Sequence, residues 1–253
     1  MTSQRGGRPS RRESGSSGWR LRPGTALVLA GAGLAAFALL SYAVSRLWLV
    51  GLDALITGWA VRWHSPGLTA FMQAATYLGS AAVLVPLGLL TAAWVWGTPP
   101  RRTPAADRRG ARLGALVLVV ALAGSSLLNT LLKYLFQRAR PDVFALARAT
   151  GYAYPSGHSM SAMAFYAVAS YIVAVTLLRG RRLAVEERRG PAWRRRWYPA
   201  GLAISAAAIV LLVGVTRVYL GVHYPSDVVG GFLAGGAWAL LCLAWFERLR
   251  HAA

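Results

Sequence analysis

Residues Leu113–Leu132 read LGALVLVVALAGSSLLNTLL, twenty positions without one charged side chain. At ~1.5 Å of rise per residue, a helix of that length covers the ~30 Å hydrocarbon core of a bilayer. Working outward, five further runs have the same length and character: Thr25–Ser45, Thr76–Trp96, Ser159–Leu178, Pro199–Val218 and Val228–Phe246. The whole chain of 253 residues agrees, being 56% hydrophobic and only 14% charged, where a soluble domain carries ~25% charged residues. That composition excludes disorder for most of the chain and argues against an ordinary soluble core. The predicted fold is all-α, a six-span transmembrane helical bundle.

The formal charge of +20, from 28 basic and 8 acidic residues, invites a nucleic-acid reading. The basic residues fall in short clusters between the apolar runs instead of on one soluble face, so nucleic acid is not an expected partner and the lipid bilayer is. Six of them lie before the first run, five in 97–112, eight in 179–196 and two at the C-terminus, against seven on the opposite side. Positive loops stay inside, which predicts a multi-pass cell-membrane protein with both termini cytoplasmic. The Ser/Gly/Arg-rich residues 1–23 read as a disordered cytoplasmic tail and 24–253 as one membrane domain. The first apolar run is longer than the h-region of a secretion signal, so it is read as a retained span. The lone Cys242 permits no intrachain disulfide and no cysteine metal site.

Between the first two spans, Leu52, Leu55, Ile56, Trp59 and Trp63 recur at helical spacing. The pattern fits a helix lying flat on the outer surface, or equally a short packing loop. Trp48, Trp94, Trp96, Trp193 and Trp197 also sit at span ends, where indole rings prefer the headgroup layer. Pro86 is expected to kink the second span. Gly230–Gly231 and Gly235–Gly236 read as close helix packing, and Ser125, Ser126 and Asn129 as helix-to-helix hydrogen bonding. Arg46, Arg138 and Arg148, each taken alone, read as snorkelling anchors.

Polar residues of another kind collect at the outer ends of spans three to six. Lys133 and Arg140-Pro141 follow span three, Pro155-Ser156-Gly157-His158 precedes span four, Arg217 ends span five, and His223 and Asp227 flank the turn into span six. Lys133, Arg140 and Arg217 form a cationic clamp, the two guanidinium forks suiting phosphate oxygens. Ser156 and Gly157 open a helix whose N-terminal N–H groups favour an anion. An aspartate on one imidazole nitrogen fixes the tautomer and frees the other to attack; His223 and Asp227 have that spacing. His158 is placed to protonate a leaving oxygen. Capping of a helix explains Asp227 or His158 singly, but three independent loops supplying complementary groups to one face point to a phosphoryl-transfer site. Clustered ionisable residues in a membrane protein are functional by default.

At these residues the chain resembles the type 2 phosphatidic acid phosphatase family, integral-membrane lipid phosphatases that share their site with vanadium haloperoxidases. The family pattern is lysine, six residues, Arg-Pro; then Pro-Ser-Gly-His; then Ser-Arg, five residues, His, three residues, Asp. Here it runs Lys133 to Arg140-Pro141, Pro155 to His158, and Thr216-Arg217 to His223 to Asp227, with threonine at the usual serine. The only lysine of the chain occupies the lysine position. The resemblance implies a hydrolase in which His223 forms a phosphohistidine, Asp227 orients it and His158 acts as general acid. It further implies that Lys133, Arg140, Ser156, Gly157 and Arg217 hold the phosphate, with no metal and no other cofactor.

The expected activity is removal of phosphate from an outer-leaflet lipid: undecaprenyl diphosphate, phosphatidic acid or phosphatidylglycerol phosphate. Two other readings stand beside it. A lipid-linked transferase of the same fold carries the same motifs. A non-catalytic lipid binder or translocator needs the clamp but neither His223 nor Asp227. The choice of lipid and the oligomeric state stay open at this stage.

Overall fold

The computed structural model describes residues 20–98, 105–141, 145–183 and 192–252. The tail expected at 1–23 lies outside them except for its last four residues, as does the middle of the 179–196 loop. Among the described residues eight α-helices follow in order: α1 (Pro23–Ser45), α2 (Val50–Val61), α3 (Pro66–Thr76), α4 (Ala81–Gly97), α5 (Ala105–Phe136), α6 (Gly157–Leu183), α7 (Ala192–Tyr219) and α8 (Pro225–His251). No strand occurs among the described residues.

Five of these helices are long and apolar enough to cross a membrane, and α3 with α4, bent by 46° at their break, passes the same test only as a pair. The break corrects one expectation for the second span, which is not one helix from Thr76 to Trp96; Pro86 lies within α4. The direction changes at Ser80, whose backbone is extended (φ −85°, ψ 153°) after the short 3-10 turn Tyr77–Gly79. Pro86 is the sixth residue of α4, inside the helix, where its missing N–H forgoes the bond to the Ala82 carbonyl.

Proline at the first helical position fixes the starts of α1, α3 and α8, since its φ is already helical and its lost donor would be unpaired there anyway. The main core packs α4, α5, α6, α7 and α8 together through Leu84, Val95, Leu118, Phe165, Val213 and Phe246. A second cluster joins α1 to the turn before α6, with Phe37, Tyr154 and Met160 at its centre. Lipid-facing side chains such as Leu39, Leu90, Leu135 and Ile204 stay exposed, as a bilayer rather than water would demand.

The segment 50–61 is a helix. It leaves Leu52, Leu55 and Trp59 exposed and buries only Asp53 and Thr57. Its apolar face therefore looks away from the bundle and its one carboxylate looks into it.

Candidate active site

Four helix ends meet at one end of the bundle: the C-termini of α5 and α7 and the N-termini of α6 and α8. Each brings one part of the sequence motif. Helix α5 closes on Gln137, which sits in the left-handed region (φ 47°) with its N–H on the Lys133 carbonyl, 2.9 Å away. That reversal turns Arg138 and Arg140 back over the bundle.

Tyr154 anchors the turn that leads into α6. It is fully buried, stacks on Phe37 at 5.9 Å and meets Phe136 edge-on at 5.0 Å. Its hydroxyl shares a 2.8 Å hydrogen bond with Ser41 of α1. Asn129 of α5 donates to the Pro155 carbonyl at 3.2 Å, so its role is to hold this turn. The glycines of α8 do the same from the other side. A Cβ on Gly231 would lie 2.7 Å from the Ser156 carbonyl oxygen, and one on Gly235 would strike the backbone of Met160. Ser156 N–H donates to the Asp227 carbonyl at 2.9 Å, closing α6 onto α8. The glycine pairs thus seat the Ser156–His158 turn beside Asp227, a closer link to the site than packing alone.

His223 and Asp227 are both buried. Asp227 is the third residue of α8 and accepts from the Tyr224 N–H at 2.9 Å through Oδ2. The same oxygen lies 3.4 Å from His223 Nδ1, so capping and imidazole contact are both true of this carboxylate. At 3.4 Å the pair is loose, and Nδ1 makes no well-aligned hydrogen bond. On the other side, Arg140 Nη1 lies 3.2 Å from His223 Nε2. A guanidinium only donates, so Nε2 is the acceptor and the ring proton sits on Nδ1, facing Asp227. Burial pushes the His223 pKa down to about 4; Asp227 opposes that fall while Arg217 and Arg140 add to it. The imidazole is neutral near pH 7.

The remaining cations surround this pair. Arg140 is held by the carbonyls of Val222 (2.7 Å), Gly151 (2.9 Å) and Thr150 (2.9 Å). Lys133 donates to the Tyr152 carbonyl. Arg217 is buried and donates to Thr76 Oγ1 of α3 at 2.8 Å, while its Nε is enclosed without a partner. His158, second residue of α6, is within electrostatic reach of Arg217, His223, Lys133 and Arg140. Ser156 is fully buried and accepts from the Ser159 hydroxyl at 3.0 Å. All eight residues singled out in the sequence therefore converge on one end of the bundle.

Arg138 differs from the sequence expectation. It is not a snorkelling anchor: Nη1 donates to Asp227 Oδ1 at 2.6 Å and to Ser226 Oγ at 2.7 Å, and Nη2 donates to Asp53 Oδ2 at 2.7 Å. Its guanidinium also lies 4.3 Å over the Tyr224 ring. Burial pulls its pKa down, but the Asp227 and Asp53 carboxylates hold it above the ordinary value. Arg46, by contrast, stays exposed over the Tyr42 ring at 5.8 Å. Asp53, Ser226 and Thr76 were not legible as site residues. The available signal for Asp53 was its isolation, the only acidic residue between Glu13 and Asp107.

A cavity of about 600 Å³ adjoins the site between α1, α2 and the end of α5, walled by Val44, Leu47, Val50, Val61 and Phe136 with Arg138 at one side. It combines an apolar channel with a polar corner, the shape expected for an amphiphile.

Comparison with known proteins follows the same lines. Residues 114–251 match the sequence profile of the PAP2 superfamily. Phosphatidylglycerophosphatase B of Bacillus subtilis is 29% identical over 215 residues, covering 85% of this chain and 93% of that protein. The putative undecaprenyl-diphosphatase YbjG of Escherichia coli is 26% identical over 196 residues, 73% of this chain and 81% of its own length. The crystal structure of a transmembrane PAP2 type phosphatidylglycerolphosphate phosphatase from Bacillus subtilis matches with a TM-score of 0.73 at 28% identity, over 87% of this chain and 96% of that one. Fold and relatives together define a multi-pass membrane enzyme of the phosphatase class. The chain belongs to the PAP2 superfamily, and its activity is that of a lipid phosphatase.

Proposed function

We propose that the enzyme removes a terminal phosphate from a membrane lipid through a phosphohistidine on His223. The observation that carries this reading is the buried, neutral His223, with Asp227 on Nδ1 and the Arg140 guanidinium on Nε2. Substrate phosphate would draw Arg140 off Nε2 and take its place among Lys133, Arg140, Arg217 and the Ser156–Gly157 backbone. The enclosed Nε of Arg217 gains an acceptor in the same step. The Nε2 lone pair then forms the N–P bond as the P–O bond to the lipid breaks, and the leaving oxygen takes its electron pair and a proton from His158. The ring keeps its Nδ1 proton and becomes positive, balanced by Asp227. Water next attacks phosphorus, the N–P electron pair returns to Nε2, and the water proton passes to His158. Charge on the transferring group is met by three side-chain cations, so the chemistry needs no metal.

Among lipids, phosphatidylglycerol phosphate ranks first, supported by the name of the Bacillus subtilis relative matched over 85% of the chain. Undecaprenyl diphosphate and phosphatidic acid follow. The arginine asymmetry and the outward apolar face of α2 support an extracytoplasmic site with both termini in the cytoplasm.

The test is phosphate release by the purified protein in detergent from these three lipids, with EDTA present and with His223→Ala alongside. Release that withstands EDTA and vanishes in the variant is expected. Near-full activity in a folded His223→Ala protein, or loss in EDTA restored by magnesium, would refute the mechanism.

A further inference from the structure

Behind the histidine–aspartate pair lies a second layer that none of the sequence motifs contains. Asp53 is 2% exposed, yet it belongs to a helix otherwise turned outward. Its Oδ1 accepts from the Ser226 N–H at 3.0 Å, and its Oδ2 accepts from the Ser226 hydroxyl at 2.5 Å and from Arg138 at 2.7 Å. Arg138 and Ser226 in turn reach Asp227, the first by a 2.6 Å bond and the second by chain adjacency. Asp53 lies outside the residues 114–251 that match the superfamily.

The charges explain why such a residue is there. Arg138 alone would pair with Asp227 and neutralise it, leaving little to balance a cationic ring on His223. A second carboxylate on the other fork of the guanidinium changes the sum. Two carboxylates and one guanidinium leave one negative charge in excess, on the side where the imidazole proton points. Buried charges interact strongly and are tolerated only when fully hydrogen-bonded, and every oxygen of Asp53 has its partner here. We propose that Asp53 is a positioning residue for the reaction: it holds Arg138 so that Asp227 keeps its charge for the phosphorylated His223. This rests on the reading that His223 carries the phosphoryl group. The other charged groups around the ring are Arg140 from the segment after α5, Arg217 from α7 and His158 from α6, with Lys133 of α5 behind them. All of these are basic, so among the described residues the negative excess comes from Asp227 with Asp53.

The experiment compares Asp53→Asn, Asp53→Glu and the double variant Asp53→Asn/Arg138→Gln with the full-length wild-type protein. It reads kcat, KM, inhibition by orthovanadate and thermal stability in detergent. Vanadate mimics the phosphoryl group in transfer, so its affinity reports transition-state binding. Asp53→Asn is expected to lower kcat and vanadate affinity together by about tenfold or more, with KM within about twofold. Asp53→Glu should recover part of both. The double variant restores one negative charge in excess and should bind vanadate more tightly than Asp53→Asn, even though it removes more contacts. If Asp53→Asn does not fold, the double variant carries the test, because it leaves neither partner charged and alone; vanadate affinity within about tenfold of wild type is then expected. Unchanged vanadate affinity in folded Asp53→Asn would overturn the proposal and leave Asp53 a purely structural residue. So would a double variant that binds vanadate no better than a folded Asp53→Asn, or more than tenfold more weakly than wild type where Asp53→Asn does not fold. Failure to trap a base-stable phosphoenzyme from radiolabelled lipid in the wild type would instead remove the reading on which the proposal rests.

Discussion

The contact of α8 with the turn before α6 gives a sharp prediction through Gly231. Alanine there would place its Cβ 2.7 Å from the Ser156 carbonyl oxygen, 2.9 Å from Ser159 Cβ and 3.1 Å from Met160 N. Ordinary contact needs about 3.4 Å, so the two helices must part by roughly 0.5–0.7 Å. Two of the three neighbours are backbone and cannot swing aside. Overpacking of this kind costs ~1–3 kcal/mol, while replacing a mid-helix glycine by alanine returns ~1 kcal/mol. The net loss of stability is therefore small, about 0–2 kcal/mol. The displacement, however, falls on Ser156, Gly157 and His158 relative to Asp227 and His223. A misplacement approaching 1 Å costs up to ~100-fold in rate. Gly231→Ala is thus expected to lose one to two orders of magnitude in kcat with only a modest shift in melting temperature. Gly31→Ala in α1 is the control, since nothing lies within 4 Å of the added methyl; it should leave turnover unchanged. Phosphate release and thermal denaturation in one detergent measure both quantities. A Gly231→Ala enzyme with wild-type kcat would refute the claim that this helix contact sets the site.

The depressed His223 pKa predicts a pH dependence of stability. The unfolded chain binds a proton at this side chain near 6.5 and the folded protein only near 4, so its contribution is full above about pH 6.5 and declines as pH falls toward about pH 4. Melting temperatures of wild type and His223→Gln should converge across that window; parallel curves would count against a neutral buried ring. Tyr154→Phe removes the 2.8 Å bond to Ser41 and is expected to cost about 1 kcal/mol, seen as a lower melting temperature with little change in kcat. A matching fall in kcat would show that the hydroxyl, and not the ring stack, locates the turn.

The spans and the phosphate-handling groups could be read from the sequence because each is a local signal. Twenty uncharged residues declare a crossing by length alone, and Lys133 to Arg140, Pro155 to His158 and Arg217 to Asp227 declare themselves by spacing. Their supports could not be read in the same way. Asp53 meets Ser226 across 173 residues and Arg217 meets Thr76 across 141, and no periodicity links positions so far apart. Arg138 was misread because a charge at a span end has the same sequence signature whether it reaches headgroups or a buried carboxylate; only the position of α2 decides. The bend at Ser80 was hidden behind the stronger signal of Pro86. The helical spacing of 52–63 was visible, but the acid that gives the segment a role occupies its least conspicuous position.

The hydrogen bond from Arg140 to His223 Nε2 has a consequence for selectivity in a bilayer. An enzyme of this kind works in a sea of phosphodiester headgroups, each carrying one negative charge and each the potential victim of an exposed nucleophile. Nε2 of His223, the nucleophile of the proposed mechanism, is covered by the Arg140 guanidinium at 3.2 Å. On the proposed mechanism, a ligand uncovers it only by out-competing nitrogen for Arg140, which favours the doubly charged terminal phosphate over the singly charged diester. On that mechanism the contact that binds the correct lipid also protects the membrane from the enzyme embedded in it.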